Sequence, residues 1–359
     1  MKNLFDYLTY YGNFSFDEYA FNEVDSLILS LLSYVKFNQI VPNGKNDFIY
    51  LEEACFKLLK KYNEKDFKKE DWLFPNSYKL MQMLQYSKRF YHTKLYHLVS
   101  SVDSNGQFGS LTIRLPNHIT YISFEGTDSN VVGWKEDFQI IYQFPISSQK
   151  LAQEYFNQTI RLFDRQIYVG GHSKGGNLAM YAYMYGNEKW KKKVKQVYNF
   201  DGPGFLDDVV HSKVYEEMSK KLTVVVPKES VIGMILGNEH FHVVNSSAHA
   251  VLQHDGYTWE CFGGRLVTST LSKKSEKLKN NLQEYLRAMS EEEKKSFVET
   301  FFAIFEKTKI TNIMQLKELK ISTLLNLMKE IKNIPSSTKR NLIALLRMLV
   351  TGMNWYNQK

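Results

Sequence analysis

Between residues 95 and 262, short β-branched or aromatic runs alternate with amphipathic stretches of helical length, and this alternation restricts the fold more than any other feature of the chain. The strand candidates are residues 95–102, 108–114, 119–124, 166–169, 194–200, 222–226, 240–244 and 258–262. Asn105-Gly106 between the first two reads as a hairpin turn. The later strands are separated by helix-length segments, the pattern of parallel strands joined by crossover helices. An α/β class follows, with a mostly parallel central sheet and flanking helices. On its N-terminal side the spacing of Val24, Leu27, Ile28, Leu31, Leu32 and Val35 predicts helices from about residue 16 to 94. After Leu271 the pattern is helical again. Ser290 and Glu293 form a capping box ahead of an apolar face of Phe297, Phe301, Phe302 and Phe305. Pro335, with Ser336 or Ser337 as a cap, opens a last helix rich in Leu342, Leu345, Leu346 and Leu349. The expected division is a helical N-terminal section (1–93) packed on an α/β core (94–270), followed by a helical C-terminal segment (271–359).

One strand-to-helix junction carries a chemical signature. Gly171-His172-Ser173-Lys174-Gly175 fits G-x-S-x-G, a sharp turn that exposes a nucleophilic serine. The run Gln166-Ile167-Tyr168-Val169 precedes it and a good helix former begins at Asn177. Gly171, Gly175 and Gly176 stand where a side chain would collide with the crossing strand and helix. A phosphate-binding loop fits less well, because no Gly-Lys-Ser/Thr follows Gly176.

A serine hydroxyl is a weak nucleophile at neutral pH and needs a histidine base oriented by a carboxylate. Among nine histidines His254, in the turn-rich Gln253-His254-Asp255-Gly256-Tyr257, is the best placed, with His249 in reserve. His240 and His242 alternate along a strand and would suit a metal pair, although packed or solvent-facing strand histidines are commoner; no metal or cofactor is expected. Two carboxylates compete as the acid. Asp201 ends a strand directly before Gly202-Pro203-Gly204, and Glu229 ends the next strand after Pro227. Asp201 is favoured because its neighbours fix the backbone more tightly.

Net charge is +8, and its location matters more than its size. Residues 1–270 contain 29 basic and 29 acidic side chains, so the whole excess belongs to residues 271–359. With 43% apolar residues and only seven prolines, wholesale disorder is excluded. Cys55 and Cys261 are too few for a disulfide framework and read as free thiols in a reducing compartment. The polar N-terminus lacks a signal-peptide core, and no apolar run reaches the length of a membrane span, so a cytoplasmic location is expected.

The residues around Ser173 resemble a known superfamily. Gly170-Gly171-His172-Ser173-Lys174-Gly175-Gly176-Asn177-Leu178-Ala179 is similar to the nucleophile segment of class 3 (fungal-type) lipases. Phe124-Glu125-Gly126-Thr127-Asp128, followed by Gly133-Trp134-Lys135-Glu136-Asp137, resembles their oxyanion-loop motif. The turn from Phe200 to Phe205 resembles the aspartate turn of pancreatic-type lipases, and the stretch from Phe21 to Asp255 looks like an uncharacterised bacterial family of lipase-like α/β-hydrolases. The resemblance implies an α/β-hydrolase fold and an oxyanion hole made from the backbone N–H groups of Thr127 and Lys174, with the Thr127 hydroxyl as a candidate further donor. Glu125 replaces the family's usual arginine and Lys174 its usual leucine. A lysine beside the nucleophile leaves the backbone donor intact but puts a cation near the acyl site, which disfavours long-chain triacylglycerol and is compatible with a polar or anionic ester.

The function expected on these grounds is a serine esterase or lipase-like activity on carboxylic esters, some of them lipid-derived. Ser173, His254 and Asp201 or Glu229 would form the triad and an acyl-enzyme would be the intermediate. The alternative is an inactive hydrolase fold serving as a binding or membrane-surface module. Residues 271–359 are expected to pack part of their apolar surface on the body and to turn their lysines toward solvent or an anionic membrane surface, where the chain would be peripheral. Nucleic acid is not an expected partner, since no recognised motif accompanies the lysines at 191–193 and 195.

Overall fold

The computed structural model describes residues 2–312 apart from 71–75, 105, 239 and 310. Five α-helices come first: α1 (Leu4–Tyr11), α2 (Glu23–Leu32), α3 (Leu51–Lys61), α4 (Glu64–Glu70) and α5 (Ser77–Tyr86), with strand β1 (Ile49–Tyr50) directly before α3. The sheet continues through β2 (Lys94–Asp103), β3 (Gly106–Arg114) and β4 (Ile119–Phe124). Helices α6 (Val131–Gln139) and α7 (Ser147–Thr159) then lead to β5 (Gln166–His172), and α8 (Lys174–Tyr185) and α9 (Glu188–Lys191) to β6 (Val194–Phe200). Helices α10 (Asp207–Val210) and α11 (Lys213–Ser219) precede β7 (Leu222–Pro227) and β8 (His242–Val244); a small hairpin of β9 (Cys261–Phe262) and β10 (Arg265–Leu266) precedes α12 (Lys273–Ala288) and α13 (Glu291–Thr308).

The eight-stranded sheet has the order β1 to β8, antiparallel from β1 to β4 and parallel from β4 to β8. With helices on both faces it is an α/β-hydrolase fold. All six residues of β4 are buried, as a strand covered on both faces requires. On one face α7 and α8 pack Phe156, Leu178 and Ala182 against Ile122 and Val169. On the other, α2 supplies Leu27, Ile28 and Leu31, and the hydroxyls of Ser26 and Ser30 lie 2.9 and 2.7 Å from Tyr121 Oη on β4. A buried ion pair fixes the entry to α2: Arg89 donates to both Asp25 oxygens at 2.8 and 2.5 Å, and Tyr7 Oη donates to Asp25 at 2.9 Å.

Several details depart from the periodicity. Helix α1 begins ahead of the expected helical region, capped by Asn3, whose side chain accepts from the Phe5 and Asp6 N–H groups. The strand expected at 240–244 begins only at His242. Of the strand expected at 258–262 only Cys261–Phe262 forms a strand, pairing with β10 rather than with the main sheet, while Trp259 makes a single antiparallel bridge to Ser246. The cause is local: Asp255 accepts from Tyr257 N–H and winds Gly256–Thr258 into a 3-10 turn. The capping box at Ser290 and Glu293 is formed, and Phe297, Phe301, Phe302 and Phe305 are buried. Phe301 and Phe302 lie against Phe138 of α6 with ring centroids 5.4 and 5.5 Å away. The helix expected after Pro335 lies outside the described residues. Among the described residues no helix is long and apolar enough to cross a membrane.

Candidate active site

Ser173 sits between the end of β5 and the start of α8 with φ 58° and ψ −135°, a backbone conformation that non-glycine residues rarely adopt. It is held there by close approach of backbone to backbone. A side chain at Gly171 would collide with the Gly175 carbonyl, and one at Gly175 with the Phe124 carbonyl, so both positions need glycine. The Ser173 N–H donates to Phe200 O at 2.9 Å, which locks the turn to the end of the neighbouring strand β6.

Asp201, the residue after β6, is fully buried and also has positive φ, 52°. Its Oδ1 accepts from Ser230 Oγ at 2.5 Å and from Gly233 N–H at 3.1 Å, while its Oδ2 lies 2.6 Å from His254 Nδ1. A carboxylate fixed on one oxygen and facing imidazole with the other selects the tautomer that leaves Nε2 as a base. Glu229 is placed differently. Its Oε2 accepts from Ala250 N–H at 2.6 Å and from Gln253 Nε2 at 3.3 Å, so it fastens the 3-10 turn Ala250–His254 that carries the imidazole. Trp259, fully buried, adds an Nε1–H bond to Gln253 O at 2.7 Å. His240, His242 and His249 are exposed, and no cluster of metal-ligating side chains occurs among the described residues.

The loop after β4 passes directly beside the elbow, since a side chain at Gly126 would meet Ser173 Cβ and the His172 carbonyl. Thr127 follows, buried, with its side-chain hydroxyl next to the Asp137 carboxylate. As the first residue of α8, Lys174 has an N–H without an intrahelical acceptor. Two donors at the start of a helix and on an adjoining loop suit a developing oxyanion.

The Lys174 side chain corrects the expectation of a cation facing the acyl group. It points away from solvent, 1% exposed, with Nζ 3.1 Å from Glu136 Oε2, 3.3 Å from Asp137 Oδ1 and 3.0 Å from Gln107 O. Glu136 also accepts from Ser148 N–H at 2.7 Å and from Gln107 N–H at 3.3 Å. The charge is thus spent in joining β3, α6, α7 and α8 around the elbow, and a preference for anionic esters does not follow from it. Burial raises the Asp137 carboxyl to about 6 despite the adjoining ammonium. Burial opposes the charge on Lys174, but Asp137 and Glu136 outweigh it and raise its pKa. Lys174→Met should therefore cost about 3–5 kcal/mol by stranding a buried carboxylate, and adding Glu136→Gln should recover part of that. Denaturant unfolding reads both; an unchanged midpoint in the single variant would contradict the role.

His172 is a site residue that the G-x-S-x-G pattern hides, because it occupies a variable position. It is fully buried, with Nε2 2.7 Å from the His254 carbonyl oxygen and Nδ1 3.0 Å from Tyr34 Oη. A carbonyl only accepts, so Nε2 carries the proton, and the one Tyr34 O–H is shared between Nδ1 and the His172 carbonyl oxygen 3.1 Å away. Burial, and then the neighbouring His254, hold the His172 pKa well below the usual histidine value. Below about pH 6.5 the unfolded chain gains a proton here that the folded chain refuses. Stability from this group is complete above that pH and is lost as the pH falls toward the folded value. In unfolding titrations from about pH 7 to 5 the His172→Gln variant should lose less stability than the parent chain; parallel declines would sink this assignment.

The family model described as Mbeg1-like matches residues 84–303. Among solved structures, a crystal structure of M37 lipase aligns over 58% of this chain and 68% of that one, at 13% identity and a TM-score of 0.34. No curated protein matches the chain.

Proposed function

Since the chain belongs to the Mbeg1-like family, a lipase-like family with a hydrolase fold, we propose that it is a serine hydrolase that cleaves carboxylic esters, lipid-derived ones among them. Ser173 attacks the acyl carbon and His254 takes its proton through Nε2. Asp201 holds the imidazole and stabilises the imidazolium. The N–H groups of Thr127 and Lys174, with the Thr127 hydroxyl, receive the oxyanion. His254 then protonates the leaving alcohol, and water repeats the sequence on the acyl-enzyme. The observation that carries this reading is the 2.6 Å contact of His254 Nδ1 with Asp201 Oδ2 beside the strained serine turn. In this reading residues 94–270 are the hydrolase core, 1–93 a helical section packed on it, and 271–359 a basic helical segment.

Steady-state hydrolysis of a panel of p-nitrophenyl esters of increasing acyl length tests the proposal. Turnover of the short esters, lost in the Ser173 variant, is expected. No turnover of any member, by protein that unfolds cooperatively, would overturn it.

A further inference from the structure

The segments that enter the parallel strands lie at the edge of the sheet opposite Ser173. β5 takes seven residues from Gln166 to His172, so at about 3.3 Å per residue the two edges are about 20 Å apart. Residues 160–165, 187–195 and 219–221 lead into β5, β6 and β7. The register pairs Ile167 with Val194 and Val197 with Leu222, which sets these segments side by side. They hold nine basic and two acidic side chains. Both carboxylates are already engaged, Asp164 at 3.4 Å from Arg114 Nη1 and Glu188 at 2.7 Å from Lys191 Nζ. Residues 1–270 balance in charge, so the excess of basic side chains in these segments is offset by acidic residues elsewhere in that body.

Arg165, Lys189, Lys192, Lys195 and Lys220 are exposed on this edge. Partial burial, followed by repulsion from Lys195 and Lys191, lowers the Lys221 pKa, as crowded like charges should. Among these cations two adjacent apolar side chains face solvent, Leu162 at 72% and Phe163 at 58% exposure. Lys193 Nζ donates to Leu162 O at 2.6 Å, and the guanidinium groups of Arg114 and Arg161 lie 5.2 and 5.8 Å from the Phe163 ring. A nucleic acid would neutralise the lysines and leave Leu162 in water. An apolar protein groove would take Leu162 and Phe163 and leave the lysines unpaired. An anionic bilayer accepts both, phosphates meeting the cations while the apolar pair enters the acyl boundary.

We propose that this edge is a docking surface for anionic lipid membranes, and that docking turns the Ser173 edge away from the bilayer. The inference is independent of ester hydrolysis, because vesicle binding is read without it. The test is co-sedimentation of the full chain with phosphatidylcholine vesicles, with and without phosphatidylglycerol, at about 0.1 M and about 1 M salt. Binding is expected only to the anionic vesicles and only at the lower salt. The triple variant Lys192→Glu/Lys195→Glu/Lys220→Glu should bind at least about a hundredfold more weakly. Leu162→Ser/Phe163→Ser should bind about tenfold more weakly. Both variants should keep the parent thermal unfolding midpoint. Equal binding to neutral vesicles, or undiminished binding by both variants, would overturn the proposal. So would loss of binding confined to Lys273→Glu/Lys277→Glu in α12, or a duplex DNA that binds more tightly than the vesicles and displaces them.

Discussion

Ser173→Ala should lower kcat for a short acyl ester by about 10⁴- to 10⁶-fold, the scale of losing the nucleophile in a serine hydrolase. The loss is large because no other hydroxyl shares the elbow's geometry. The φ of 58° that turns Ser173 out of the helix line exists only because Gly171 and Gly175 let β5, α8 and the β4 carbonyl touch. Alanine keeps the backbone close to its native path, so the variant should unfold at about the parent temperature. Retained folding with lost turnover would separate chemistry from structure. A residual rate within about tenfold of the parent would place the reaction elsewhere.

Asp201→Asn should lower kcat by about 10⁴-fold with little change in KM, as loss of the orienting aspartate does in the triad template. An amide would still accept from Ser230 and Gly233 on one side. Toward His254 it would present an NH₂ group, favouring the tautomer with its proton on Nε2, which cannot act as base. Glu229→Gln is the comparison. Its side chain accepts from Ala250 N–H and Gln253 without touching the imidazole, and the amide oxygen can keep accepting from Ala250. Its kcat should fall by less than about tenfold, by loosening the turn alone. The reverse ranking of the two variants would make Glu229 the acid.

The fold was legible wherever hydropathy and chain breaks coincide. Ile119–Phe124 and Val194–Phe200 are segments rich in β-branched and aromatic residues closed by glycine-containing turns, and both strands occupy those residues. Legibility failed where backbone is consumed locally, as at Gly256–Thr258, where the Asp255 side chain competes with strand pairing. At the site, the elbow could be read because its requirements are local, glycines at fixed offsets from one serine. The competition between Asp201 and Glu229 could not be decided locally. Each follows a strand, and the path of residues 250–254 determines which carboxylate meets the imidazole. The Lys174 side chain was misread for a related reason: its partner Glu136 lies 38 residues earlier, on a helix whose packing the sequence pattern does not reveal. His172 was hidden because the feature that makes it informative, a carbonyl acceptor at His254, is 82 residues away.

The central claim is that Ser173 is a nucleophile activated by its surroundings, and covalent labelling tests it most directly. The chain should react with a fluorophosphonate, and after tryptic digestion the adduct should sit on the peptide of residues 166–174, at Ser173, in a single equivalent. Failure of the folded chain to react, or an adduct on any other residue with Ser173 unmodified, would contradict the account.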